Sequence, residues 1–300
     1  MEKIQLADDL FFSKIVHGLW RLAEWNLTSD QTLSLIKSCM ELGITTFDHA
    51  DIYGDYTCES LFGEALRKEP SLREGMQLVT KCGIKLLSKN RPENKVHHYD
   101  TSKQHILNSV DQSLKNLHTD FIDVLLIHRP DPYMNPEEVA ESFSILKEQG
   151  KVRHFGVSNF TPSQFSMLQS YLDFSLVTNQ VEISVSHLDA FQDGTIDQCL
   201  ERRVSPMVWS PLAGGSIFKA DDEKSLRIKS VLEDLSEELG VQSIDIVMYA
   251  WLLSHPAKLI PIVGSGKLER IRVAIEALSI ELTREQWFKI WIASTGKEVA

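Results

Sequence analysis

Short apolar runs alternate with longer amphipathic stretches along the whole chain. The runs lie at 15–17, 45–47, 77–80, 122–127, 154–157, 176–179, 205–209 and 259–261. Several are continuously apolar, as parallel strands buried on both faces must be. Between them, apolar positions recur at helical spacing over 29–42, 57–68, 102–117, 136–149, 162–172, 194–202, a double stretch in 225–255, and 267–278. Thr161-Pro162 and Asn135-Pro136 read as helix N-caps followed by proline at the first helical position. Gly43, Gly150 and Gly240 stand where helices should stop.

This is eight βα units without a break. Alternation at this spacing predicts an α/β fold with a parallel sheet, and eight units predict closure into a (β/α)8 TIM barrel. The alternative is an open doubly wound sheet. Its G-x-G-x-x-G turn is missing after the first strand, where the chain reads His17-Gly18-Leu19-Trp20-Arg21. Residues 4–12 read as a short N-terminal β-hairpin around Asp8-Asp9, placed to plug the barrel's N-terminal end.

Composition narrows the class. A chain of 300 residues is long enough for a large core, and barrels of about this size form one domain, expected here over 1–300. A net charge of −11 argues against a general nucleic-acid binder but leaves room for a local basic pocket. Cys39, Cys58, Cys82 and Cys199 form no C-x-x-C pair, so free thiols in a reducing compartment are expected. The N-terminus lacks a signal-peptide pattern, and no apolar run is long enough to span a bilayer. A cytoplasmic protein without membrane contact is the expectation.

Chemistry on such barrels sits at the C-terminal ends of the strands. After the second strand come Asp48, His49, Asp51 and Tyr53; after the third, Lys81; after the fourth, His128 and Arg129. The fifth is followed by Ser158-Asn159, the sixth ends at Asn179-Gln180, and the seventh leads to Ser210-Pro211 and a Gly214-Gly215 loop. The eighth leads to Gly264-Ser265-Gly266-Lys267. Taken singly, Asp48 could be a turn residue, Lys81 a snorkelling lysine and His128 a packed core histidine. Placed on one rim, they make a unit.

That unit has a definite chemistry. A phenol with an ordinary pKa near ~10 returns protons poorly at neutral pH. A neighbouring ammonium stabilises the phenolate and should lower that pKa. A carboxylate keeps the ammonium charged and placed, and a histidine can orient a carbonyl oxygen. These parts suit a reaction that builds an alkoxide and protonates it, as hydride transfer to a carbonyl does. No side chain gives hydride, so a nicotinamide cofactor is implied.

The motifs then point to a family. Phe47-Asp48-His49-Ala50-Asp51-Ile52-Tyr53-Gly54 resembles the aldo-keto reductase signature, Thr80-Lys81-Cys82 its lysine motif, and Phe121 through Pro130 its histidine motif. Gly156-Val157-Ser158-Asn159-Phe160, Asn179-Gln180-Val181-Glu182 and Trp209-Ser210-Pro211-Leu212 resemble later motifs in the same order, so the match runs from about residue 15 to 280. The resemblance implies Tyr53 as general acid/base, Lys81 and Asp48 as its tuning pair, and His128 as the carbonyl orienter. It implies NADP(H) lying across the rim. Ser158, Asn159 and Gln180 would hold the carboxamide, with Asp48 nearby, and Trp209 would stack on the nicotinamide. Ser210, Pro211, Leu212, Gly214 and Gly215 would follow the pyrophosphate. Gly18, Leu19, Trp20 and Arg21 would line the opposite lip, and Gly264, Ser265, Gly266, Lys267 and Arg270 would take the adenosine phosphate. Val273 and Ala274 replace an acidic-amide pair that many members place near adenine.

The expected partner is a small-molecule carbonyl, in a pocket shaped by Trp20, Trp25, Tyr56, Phe160, Trp209 and the loops 87–99 and 216–224. The resemblance suggests a monomer. His97-His98 lacks carboxylates at ligand spacing, so no metal is expected. Two other functions fit a barrel with these residues: a lyase or aldolase with Lys81 as Schiff-base lysine, and a non-catalytic subunit that retains cofactor.

Overall fold

The structure is a computed structural model that describes residues 2–219 and 221–300. Its centre is a closed barrel of eight parallel strands: Val16–Gly18, Thr46–Asp48, Gln77–Cys82, Ile122–Ile127, Val152–Ser158, Asn179–Glu182, Met207–Trp209 and Ile260–Val263. Each strand pairs with the next. The last closes on the first through Ile262 opposite Val16 and Val263 opposite His17. The runner-up open sheet is thereby excluded.

The N-terminal hairpin is present as Lys3–Ala7 paired with Leu10–Ser13. Ile4, Leu10 and Phe12 join Val16, Val79, Val124, Leu126, Met207 and Ile260 in the apolar cluster that fills the barrel. Ser13 accepts from the backbone N–H groups of Thr45 and Thr46, which seats the hairpin at the start of the second strand. The hairpin therefore closes the N-terminal end, and the opposite rim stays free for chemistry.

Helices follow the strands as expected. Thr161 and Asn135 cap the helices Pro162–Gln169 and Pro136–Glu148, each with proline at its start. Thr28 and Thr283 form the same reciprocal Thr/Gln capping box as Thr161. The double stretch resolves into Glu223–Leu239 and Ile244–Leu253, with Gly240 ending the first in a left-handed conformation.

Three features depart from the sequence reading. The sixth strand is Asn179–Glu182, beyond the apolar run at 176–179. Its ladder to the fifth strand joins Asn179 to Val157 and Gln180 to Ser158. These polar side chains can enter the sheet because partners await them across the rim, which hydropathy does not register. A terminal helix, Arg284–Thr295, was not expected from periodicity. It is held by aromatic packing: Trp287 stacks on Trp251, and each indole N–H donates to the other residue's carbonyl. The loop after the third strand carries a small hairpin, Ile84–Lys85 with His98–Tyr99.

Candidate active site

Asp48 is the last residue of the second strand, and Lys81 lies near the end of the adjacent third. Their register sets Asp48 opposite Val79, two residues before Lys81. Lys81 is fully buried, which in isolation would be a severe cost. It is fully engaged instead. Its Nζ donates to both carboxylate oxygens of Asp48 at 2.8 Å, to the His49 carbonyl at 2.7 Å, and to the Tyr53 hydroxyl at 2.9 Å.

Tyr53 opens a single turn, Tyr53–Tyr56, after a four-residue link from the strand. Gly54, Asp55 and Tyr56 all adopt positive φ, so the chain turns tightly there, and the phenol reaches Lys81. His128 follows the fourth strand, and its ring lies edge-on to Tyr53 with centroids 5.8 Å apart. The four residues singled out by sequence thus meet at one place.

Electrostatics refine their states. Burial pushes the Tyr53 phenol above its ordinary pKa, although the Lys81 charge works against that rise. The sequence expectation was a lowered value; in the free protein desolvation wins, and the phenol holds its proton. Burial works to lower Lys81, but Asp48 and Tyr53 outweigh it and hold the ammonium above its usual range. Burial, then Lys81 and Arg129, keep His128 well below the ordinary imidazole value, so its ring is neutral.

The rest of the rim is cross-linked. Gln180 donates its amide to Asp48 at 2.8 Å, a contact no sequence pattern indicated. Ser158 donates to the Gln180 carbonyl, and Asn159 donates to Ser158 Oγ. The Trp209 indole donates to Asn159 at 3.0 Å, fixing its ring plane, and the Arg129 guanidinium lies 5.6 Å from that ring. After Ser210 the backbone makes a left-handed turn through Ala213, Gly214 and Gly215.

Residues 14–293 match the Aldo/keto reductase family. The chain belongs to it. This aldo/keto reductase is 58% identical to the uncharacterized oxidoreductase YcsN of Bacillus subtilis, over 100% of both chains. It is 44% identical to a 6-dehydroglucose reductase of Agrobacterium fabrum, again over 100% of both. A solved thermostable aldo-keto reductase, in complex with the inhibitor epalrestat, superposes with a TM-score of 0.81 at 26% identity, covering 98% of this chain and 99% of that one. Such relatives are oxidoreductases, and the family implies a nicotinamide cofactor and a small-molecule substrate. Among the described residues, no helix is long and apolar enough to cross a membrane.

The residues of this aldo/keto reductase fit a dinucleotide. The helix Leu268–Glu276 starts at Lys267 without a side-chain cap, so its first N–H groups remain for an anion. Lys267 and Arg270 are exposed beside it, and nothing crowds the space over Gly264. Some expected contacts shift. The Leu19 side chain is buried in the core, and only its backbone serves the lip, donating to the Asp48 carbonyl at 2.9 Å. Pro211 is buried and Leu212 packs toward the core, so they offer backbone alone. Arg21 donates to the Gly264 carbonyl at 3.1 Å, and Trp20 is 62% exposed at the lip.

Of the expected pocket aromatics, one is engaged elsewhere. Phe160 is buried in the layer between strands and helices. Trp25 stacks on His17 at 5.8 Å. Tyr56 stays beside the loop 87–99, accepting from Leu86 N–H at 2.8 Å with Arg91 over its ring. In the loop 216–224, residue 220 lies outside the described residues.

Proposed function

We propose that this protein reduces aldehydes or ketones to alcohols with NADPH, using Tyr53 as the general acid. The observation that carries the reading is the Lys81 ammonium set between the Asp48 carboxylate and the Tyr53 hydroxyl. Bound NADPH would supply the hydride. Ser158, Asn159, Gln180 and the face of Trp209 would hold its nicotinamide end. Ser210 to Gly215 would follow the pyrophosphate, and the 264–270 segment would take the adenosine phosphate.

The chain's own groups handle the proton. Tyr53 Oη holds a proton in the free protein because burial keeps the phenol neutral. It passes that proton to the carbonyl oxygen as negative charge gathers there. The phenolate left behind is stabilised by Lys81 Nζ, already in place, so little reorganisation is required. The neutral His128 ring donates a hydrogen bond to the same oxygen and orients the carbonyl. The geometry disfavours a Schiff-base lyase, because the Lys81 nitrogen is protonated and its three N–H bonds are shared among Asp48, His49 and Tyr53.

The test is substrate-dependent NADPH oxidation across a carbonyl panel that includes oxidised sugars, since one relative is named a 6-dehydroglucose reductase. Tyr53→Phe should lower kcat by about 10²–10⁴-fold, the usual worth of a positioned acid. Unchanged turnover would overturn the mechanism, and tight NADPH binding without turnover would favour a non-catalytic subunit. We read the enzyme as a cytoplasmic monomer on one barrel domain; elution as a single chain checks the oligomeric part.

A further inference from the structure

His17 is buried at the heart of the first strand and takes no part in the proton chemistry above. Its Nε2 lies 2.9 Å from the Ser265 carbonyl oxygen, in the loop that leaves the eighth strand. A carbonyl only accepts, so Nε2 carries the proton. Nδ1 is then an acceptor, and the Cys39 thiol faces it at 3.7 Å. Burial pushes that thiol up to about 12, so it keeps its proton and can donate. The tautomer is fixed from both sides.

Two more contacts reach the same loop. Arg21 donates to the Gly264 carbonyl. Trp25, stacked on His17, presses against Gly266: a Cβ there would meet the indole at 2.6 Å. The first strand and its loop therefore grip three consecutive residues of the eighth strand's loop. Barrel closure does not require this grip, because Val263 already pairs with His17 through the backbone. An apolar residue would also be cheaper to bury than an imidazole.

The grip has a directional consequence. Among the described residues every peptide bond is trans, so each C=O and the following N–H point opposite ways. With the Gly264 and Ser265 carbonyls drawn toward Arg21 and His17, the N–H groups of Ser265 and Gly266 point away from those two side chains. They lie just before the uncapped start of the helix Leu268–Glu276 and the exposed Lys267. Backbone N–H groups without protein acceptors beside a helix start are the kind that bind phosphates.

We propose that His17 is a positioning residue for the cofactor, holding the 264–266 loop, with Trp25 and Arg21, in the conformation that binds the adenosine 2′-phosphate. This rests on the NADPH reading above. The three residues act through the loop and do not touch the reacting atoms.

The experiment is calorimetric titration of the whole protein and its variants with NADPH and with NADH, which lacks the 2′-phosphate. His17→Leu should weaken NADPH binding about tenfold, the loss of roughly one charge-assisted hydrogen bond, and leave NADH binding nearly unchanged. His17→Gln, which keeps an N–H donor, should recover most of the NADPH affinity. Gly266→Ala, which drives a methyl into Trp25, should reproduce the selective loss and serves if His17→Leu does not fold. Folded variants that bind NADPH as the wild type does overturn the positioning role alone. So does an equal loss for both cofactors. A wild-type protein that binds NADH but not NADPH overturns this role and the NADPH reading together.

Discussion

The Lys81 ammonium sits 2.8 Å from each carboxylate oxygen of Asp48, and neither group is exposed enough to trade this contact for water. Burial alone would lower the lysine; Asp48 is the first of the groups that hold it up. In Asp48→Asn that support goes, and Lys81 loses its proton at lower pH. The alkaline limb of the kcat/KM profile should therefore move toward neutrality. The fold should also lose about 3–5 kcal/mol, the usual cost of orphaning one member of a buried pair. A profile measured from pH 6 to 10 on wild type and variant decides it, and an unmoved limb would contradict the assigned pairing.

His49 follows Asp48 and is fully buried, with neither ring nitrogen partnered among the described residues. Its ring lies edge-on to Phe62 at 4.5 Å, and burial, then the Lys81 charge, lower its pKa to about 3. Only its backbone carbonyl serves the site, through Lys81. Replacing an unsatisfied polar ring by an apolar side chain removes a desolvation penalty of about 1–3 kcal/mol. His49→Leu should raise Tm and leave kcat near wild type. A lower Tm would contradict the reading of His49 as an unpaired ring that costs stability.

His17 is lowered to about 4 by burial, against the pull of its bond to Ser265. Its folded pKa lies below the unfolded value of ~6.5, so the unfolded chain binds more protons between those two points. The stability it protects is present in full above about pH 6.5 and drains away as pH falls toward 4. His49 behaves in the same sense, and the Cys39 thiol beside His17 stays neutral across this window. Asp51 and Glu59, raised by burial, work in the opposite direction. Subtracting the His17→Gln stability curve from the wild-type curve isolates the histidine. That difference should shrink from pH 7 to pH 4, and a flat difference refutes the assignment.

Gly63 lies where the helix Cys58–Leu66 crosses the end of the helix Lys103–Leu117. A Cβ there would run into the Asn116 carbonyl oxygen and stand 2.9 Å from two further backbone carbons. Backbone cannot yield as a side chain does, so Gly63→Ala should cost at least about 1–3 kcal/mol. Urea denaturation measures it. A shift smaller than that would mean the two helices slide apart freely.

Much of this could be read along the chain. Eight apolar runs at βα spacing gave the barrel, and Asp48, Tyr53, Lys81 and His128 fell on strand ends where barrels keep their chemistry. Asn135 and Thr161 capped helices as their Pro-flanked patterns predicted. The sixth strand was misplaced because its paired residues, Asn179 and Gln180, are polar, and hydropathy assigns strands by apolar runs. Phe160 and Trp25 both read as pocket walls along the chain because an aromatic near a rim looks like one, yet Phe160 is buried between strands and helices and Trp25 stays partly exposed beside His17. Their direction depends on which neighbour they pack against, and that is a property of the folded chain.

The sequence by itself determined the layer pattern, the family and the identity of the groups that can move a proton. Those follow from local periodicity and residue chemistry, which need no knowledge of distant contacts. Only the tertiary structure decided their ionisation and orientation. Tyr53 keeps its proton because burial outweighs the Lys81 charge, a balance of desolvation and distance that spacing cannot express. Gln180 reaches Asp48 across 132 positions, and His17 reaches Ser265 across 248, because a closed barrel brings the ends of its strands together.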